Sequence, residues 1–117
     1  MNSLERETSY TGDCRLDFEA ENISGKDIKY ITITLEFYNK VGDIGYIANF
    51  QFTGPYAVGE TFRLTTKYFG TYYSIYSHNV SKMSQIGKLR ISEIKLEYFD
   101  GTTEFGDYGY ESTKQKA

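Results

Sequence analysis

Cys14 and His78 are the one cysteine and the one histidine of this chain. Any nucleophilic mechanism at neutral pH would have to run through them. A thiolate is activated by an imidazole within hydrogen-bond reach, usually with a third group orienting the base. The surrounding residues point to something plainer. Cys14 opens an alternating segment on its apolar side, where a free cysteine behaves as a small core residue. His78 stands between Ser77 and Asn79, in the setting of an exposed loop. A serine triad would need the same histidine, and no Gly-x-Ser-x-Gly turn is present to carry its serine. The expectation is a protein that is not an enzyme.

Metal and phosphate chemistry are equally poorly supplied. One Cys and one His cannot build a nitrogen- and sulfur-rich zinc site. Asp100, Glu104 and Asp107 could offer hard oxygens to calcium, but they lack the alternate acids and fixed glycine of the helix–loop–helix motif. They read as a turn aspartate, an outward strand glutamate and a loop aspartate. Gly54-Pro55 to Gly59 lacks the Lys-Ser/Thr pair and the helix of a phosphate loop. No metal and no cofactor is expected. Asn22-Ile-Ser24 and Asn79-Val-Ser81 match the N-glycosylation tripeptide, which matters only on a secretory route.

Binding residues are better represented. Tyr68, Phe69, Tyr72, Tyr73, Tyr76 and His78 fall within eleven positions, among Gly70, Ser74, Ser77 and Asn79. Tyrosine mixed with Ser, Gly and Asn is the composition of antibody paratopes, where Tyr gives contact area at low entropy cost. A strand buries every second residue, so Tyr72 to Tyr76 cannot all face one core. The competing reading is that half are core and half decorate a β surface. Phe105, Tyr108 and Tyr110 either extend this patch or cover a sheet edge.

The second candidate surface is acidic. Residues 1–60 hold ten acids and five bases, whereas residues 61–117 hold six acids and eight bases. Asp17, Glu19 and Glu21 share the outer face of one strand, with Asp13 just before it. Such a stripe either steers a basic partner or is a solvated face that keeps an edge strand from aggregating. The net charge of −3 argues against nucleic acid, which needs a Lys/Arg footprint.

These residues must be positioned by strands. Twelve Tyr and eight Phe suit a pleated, half-buried surface. Cys14, Leu16, Phe18 and Ala20 alternate with Arg15, Asp17, Glu19 and Glu21, the period of a half-buried strand. The same period places Ile31, Ile33, Leu35 and Phe37 inward, then Tyr46, Ala48, Phe50 and Phe52, then Phe62, Leu64, Thr66 and Tyr68. Tyr72 to Tyr76 gives a short strand at most, and His78 to Gln85 a loop or a single helical turn. Leu89 and Ile91 sit at one parity, and Ile94, Leu96 and Tyr98 at the other. The change at Ser92-Glu93 is what a β-bulge produces. Asp100-Gly101 between strand-formers marks a hairpin. About seven short strands at this spacing predict an immunoglobulin-like antiparallel β-sandwich. The chain of 117 residues suits one domain. It divides into a polar N-terminal segment at 1–13, the sandwich at 14–106, and a polar, mobile tail at 107–117. A single cysteine allows no internal disulfide. No apolar window reaches the roughly 18 residues of a transmembrane segment.

The turns carry a resemblance. Asn22-Ile-Ser-Gly-Lys-Asp-Ile-Lys-Tyr-Ile31, Tyr38-Asn-Lys-Val-Gly-Asp43, Gly54-Pro-Tyr-Ala-Val-Gly-Glu60 and Ile94-Lys-Leu-Glu-Tyr-Phe-Asp-Gly-Thr102 occur in that order. Together they resemble FxLYD-type and related uncharacterised β-sandwich domains of bacterial surface proteins. The resemblance spans residues 14–105 and implies a non-catalytic module, usually extracytoplasmic and often attached to other domains. The segment from Met1 to Asp13 offers no apolar core for a signal peptide, which gives a cytoplasmic expectation. The alternative is an extracytoplasmic protein whose leader was removed. The functional expectation is a protein-binding module acting through Tyr-rich loops or exposed strands. The alternative is a small, stand-alone acidic inhibitor of a host protein, of phage or mobile-element type. The expected partner is another protein, and unpaired sandwich edges leave room for a homodimer.

Overall fold

Alternation buries one face of each strand, so strands of this kind must stack into two sheets to hide those faces. A computed structural model describes residues 1–8, 14–67, 86–106 and 109–113. Among them are eight strands: β1 (Ser3–Thr8), β2 (Cys14–Glu21), β3 (Ile28–Asn39), β4 (Ile44–Tyr56), β5 (Thr61–Thr65), β6 (Ile86–Tyr98), β7 (Thr103–Phe105) and β8 (Glu111–Ser112). They form two antiparallel sheets, β1-β2-β5 and β4-β3-β6-β7, with β8 also paired to β6. The chain is a β-sandwich.

The core follows the period read from the sequence. Ile31, Ile33, Leu35 and Phe37 of β3 are all 3% exposed or less, and they face Leu4, Leu16, Phe18, Phe62 and Leu64 of the other sheet. Each such side chain contributes about 1.5–3 kcal/mol on burial. Aromatic pairs bridge the sheets. Phe18 of β2 meets Phe52 of β4 edge-to-face at 5.9 Å, and Tyr56 stacks on Phe62 of β5 at 4.4 Å.

The parity change in β6 is a bulge. Thr34 of β3 pairs with Glu93, yet the next residue, Leu35, pairs with Ile91, so Ser92 is the extra residue. Both halves of β6 thereby keep their apolar side inward. The β6–β7 hairpin closes on Tyr98 N–H to Thr102 O (2.9 Å) and Gly101 N–H to Tyr98 O (3.1 Å). Gly101 sits at φ +85°, a conformation that a side chain would strain.

Two boundaries differ from the sequence reading. The sandwich does not begin at Cys14. Residues 3–8 pair with β2 along their whole length, and Leu4 and Arg6 point inward at 0% and 6% exposure. An arginine at an inward position hides the strand from a pattern search, because its aliphatic stem packs while its type reads as polar. Nor does the sandwich end at Gly106. Residues 109–113 belong to it, with β8 paired to Leu89 and Arg90. Ser112 Oγ donates to Leu4 O (2.5 Å) and Tyr110 Oη to Asn2 O (3.4 Å), tying the last strand to β1.

Candidate interaction surfaces

Most of the aromatic candidates, Tyr68, Phe69, Tyr72, Tyr73, Tyr76 and His78, lie outside the described residues, as do Asp13, Asn79, Asp107 and Tyr108. Of the others, Phe105 is 62% exposed, whereas Tyr110 packs against the core. The Cys14 backbone starts β2 opposite Thr8.

The acidic stripe is placed, and its setting corrects one reading. Asp17, Glu19 and Glu21 do not guard an edge, because β2 is the central strand of its sheet. Long-range pairing brings other charges beside them. Asp17 accepts a hydrogen bond from Thr65 Oγ1 of β5 (2.8 Å), Glu19 is 3.7 Å from the Arg63 guanidinium, and Arg15 is ion-paired with Glu7 of β1. Glu5 stands opposite Asp17, and the exposed Glu21 opposite Thr61. The face thus carries Glu5, Glu7, Asp17, Glu19 and Glu21 against Arg15 and Arg63. It is acidic, but cross-strand neighbours interrupt it. Exposed pairs of this kind are worth about 0–1 kcal/mol each.

The outer face of the second sheet holds a polar network. Arg90 Nη1 donates to Glu36 Oε1 (2.9 Å), Tyr38 Oη donates to the same oxygen (3.0 Å), and Lys88 Nζ lies 4.8 Å from the Tyr38 ring centroid. Partial burial and the Glu36 carboxylate push the Tyr38 hydroxyl up from its ordinary pKa. Beyond this network, β4 is different in kind. It is 13 residues long and contains no charged residue. Ile47, Asn49, Gln51 and Thr53 are exposed along it. It ends the order β4-β3-β6-β7, pairing with β3 alone among the described residues.

A third feature was not visible in the sequence. Between the sheets, beside β7, is a cleft of about 440 Å³ walled by Ile31, Ile33, Leu64 and Ile94, with Glu21, Glu104 and Phe105 at its mouth. Glu104 is exposed, as an outward strand glutamate is expected to be; it stands opposite the half-buried Leu96 and accepts a 2.6 Å hydrogen bond from the buried Tyr98 hydroxyl. Burial and that carboxylate push the Tyr98 hydroxyl pKa up.

Asp100 is occupied by its own turn. Its Oδ1 accepts from Thr102 Oγ1 (2.5 Å) and Thr102 N–H (2.9 Å), and its Oδ2 from Lys26 Nζ (3.1 Å). These bonds, the Thr102 hydroxyl's first, hold its carboxyl at a pKa of about 2, below the ordinary 3.8. A depressed carboxyl stabilises the fold above its ordinary pKa, and that contribution drains as pH falls through about 2. Asp100→Asn should therefore melt below the parent at about pH 5 and level with it near pH 2. A gap that persists at the lower pH would contradict this. Among the described residues no three acids, cysteines or histidines come together as a metal site. No helix there is long and apolar enough to cross a membrane.

Comparison with known proteins returned nothing: no family, no curated protein and no solved structure matches the chain.

Proposed function

We propose that this chain is a non-enzymatic protein-binding module whose partner adds an extended segment to β4. One observation carries the reading: among the described residues β4 is an end strand, 13 residues long and without a charge. An end strand turns half its backbone N–H and C=O groups away from its neighbour, and proteins ordinarily blunt such edges with charges or shortness. The other ends of the two sheets are blunted in this way. β1 contains Glu5, Arg6 and Glu7; β5 has five residues with Arg63 among them; β7 has three with Glu104. Strand addition takes its affinity from the main chain and its selectivity from alternate side chains. On β4 those would be Ile47, Asn49, Gln51 and Thr53.

A second reading, the small acidic inhibitor, is favoured by the outer face of β1-β2-β5, where acids outnumber bases. The two respond differently to salt. Raising ionic strength from about 0.1 to 1 M shortens the screening length from roughly 10 to 3 Å and would weaken a partner held by Asp17, Glu19 and Glu21. Main-chain pairing on β4 would persist.

The test is affinity capture with the parent, with Ile47→Lys/Gln51→Lys, and with Tyr72, Tyr73 and Tyr76 replaced by serine. Both β4 positions are exposed, so the lysines should shift stability by less than about 1 kcal/mol. Loss of a salt-resistant partner in the lysine variant alone is the expected result. Its retention there, or its loss only in the tyrosine variant, would overturn strand addition.

A further inference from the structure

Protein interiors are packed with few voids larger than a water molecule. The cleft beside β7, at about 440 Å³, lies instead within the range of small-molecule sites, roughly 300–1,000 Å³. We propose that it binds a single-chain amphiphile with a cationic head, the hydrocarbon lying between the sheets and the head at Glu104. This does not depend on β4.

Three observations carry the assignment. The walls are apolar side chains from both sheets, Ile31, Ile33 and Ile94 on one side and Phe62 and Leu64 on the other. The apolar surface continues outward, because Ile23 and Phe105 at the mouth are 79% and 62% exposed. A tail entering here would cover surface that folding leaves wet. The cleft is also kept open by a missing side chain. A Cβ built on Gly106 would sit 3.4 Å from Ile94 Cγ2 and 3.9 Å from Leu96 Cδ1, in ordinary contact. A larger residue at 106 would therefore grow into the space. Among the lining residues Glu21 and Glu104 carry carboxylates and Met1 the α-amino group, and the Glu104 carboxylate is the one turned to the inner side, where it meets the buried Tyr98 hydroxyl. Glu104 commits Oε2 to Tyr98, and among the described residues Oε1 takes no hydrogen bond. At the mouth, a carboxylate attracts an ammonium group and repels an acid head.

Calorimetric titration with decyltrimethylammonium, decanol and decanoate below their micelle concentrations tests this. The cation should bind one-to-one, and decanoate about tenfold more weakly or not at all. Gly106→Leu should lower the affinity for the cation by about tenfold or more without lowering Tm. Glu104→Gln, at an exposed position, should leave decanol binding intact and bring the cation down to the level of decanol. No saturable binding, equal binding of cation and decanoate, or unchanged affinity in Glu104→Gln would each overturn the proposal. Should Gly106→Leu fail to fold, Glu104→Gln decides the matter alone.

Discussion

Replacing Phe18 with alanine should remove about 3–5 kcal/mol of stability, the range for an aromatic ring taken from a packed core. Phe18 is 1% exposed at the middle of the central strand of its sheet. Leu4 and Leu64 stand opposite it on the two neighbouring strands, and Phe52 meets it edge-to-face at 5.9 Å across the sandwich. The void left by alanine cannot easily close, because backbone ladders on both sides of β2 fix its distance from the opposing sheet. Urea denaturation should show a lower midpoint with an unchanged slope. Phe105→Ala is the control: a ring 62% exposed should cost within about 1 kcal/mol. If Phe18→Ala cost no more than that control, the packing of β2 against β4 would be wrong.

The second large effect is expected at Asn22, which is 2% exposed. Its amide uses both donors and both acceptor directions. Nδ2 donates to Lys26 O (2.8 Å) and Tyr56 O (3.0 Å), while Oδ1 accepts from Ser24 N–H (3.0 Å) and Ser24 Oγ (2.6 Å). Its backbone bonds Glu60 O and Gly59 N–H as well, so one residue joins the β2–β3 turn to the β4–β5 turn. Asn22→Ala leaves two carbonyls and an amide to find other partners, at a cost of about 2–4 kcal/mol. Asn22→Asp keeps the shape but sets carboxylate oxygens against two carbonyls. The carboxyl pKa is thereby raised in the fold, so this variant should regain stability as pH falls through that pKa. A pH-independent deficit would contradict the hydrogen-bond assignment. The same geometry bears on the glycosylation tripeptide, whose amide is enclosed once the chain has folded.

Each feature of the fold depends on its own kind of information. Strands β2 to β6 were legible because their inward residues are apolar at every second position, and the bulge at Ser92 was legible as a slip in that period. β1 was not, since Arg6 occupies an inward position that the pattern assigns to apolar residues. β8 is two residues long, too short to have a period. At the candidate surfaces the losses are of another sort. Asp17, Glu19 and Glu21 were correctly placed on one face, yet Arg63 and Thr65 beside them come from a strand more than forty residues away. Pairing, not composition, decides how acidic that face is. The cleft depends on Gly106 lacking a side chain at a point where two sheets meet, which no local pattern encodes.

The stitch between the first and last strands sets an order of events in time. Ser112 Oγ and Leu4 O are 108 residues apart in the chain, whereas β3 meets β4 across a turn of a few residues. Closing the longer loop costs more chain entropy, and folds rich in such distant contacts form in milliseconds to seconds rather than microseconds. The β3–β4 and β6–β7 hairpins are thus the early structures, and the β1–β8 seam is the last to close. Until it does, β1 is held by β2 alone, and a newly made chain is most open to a wrong partner along that seam during the interval.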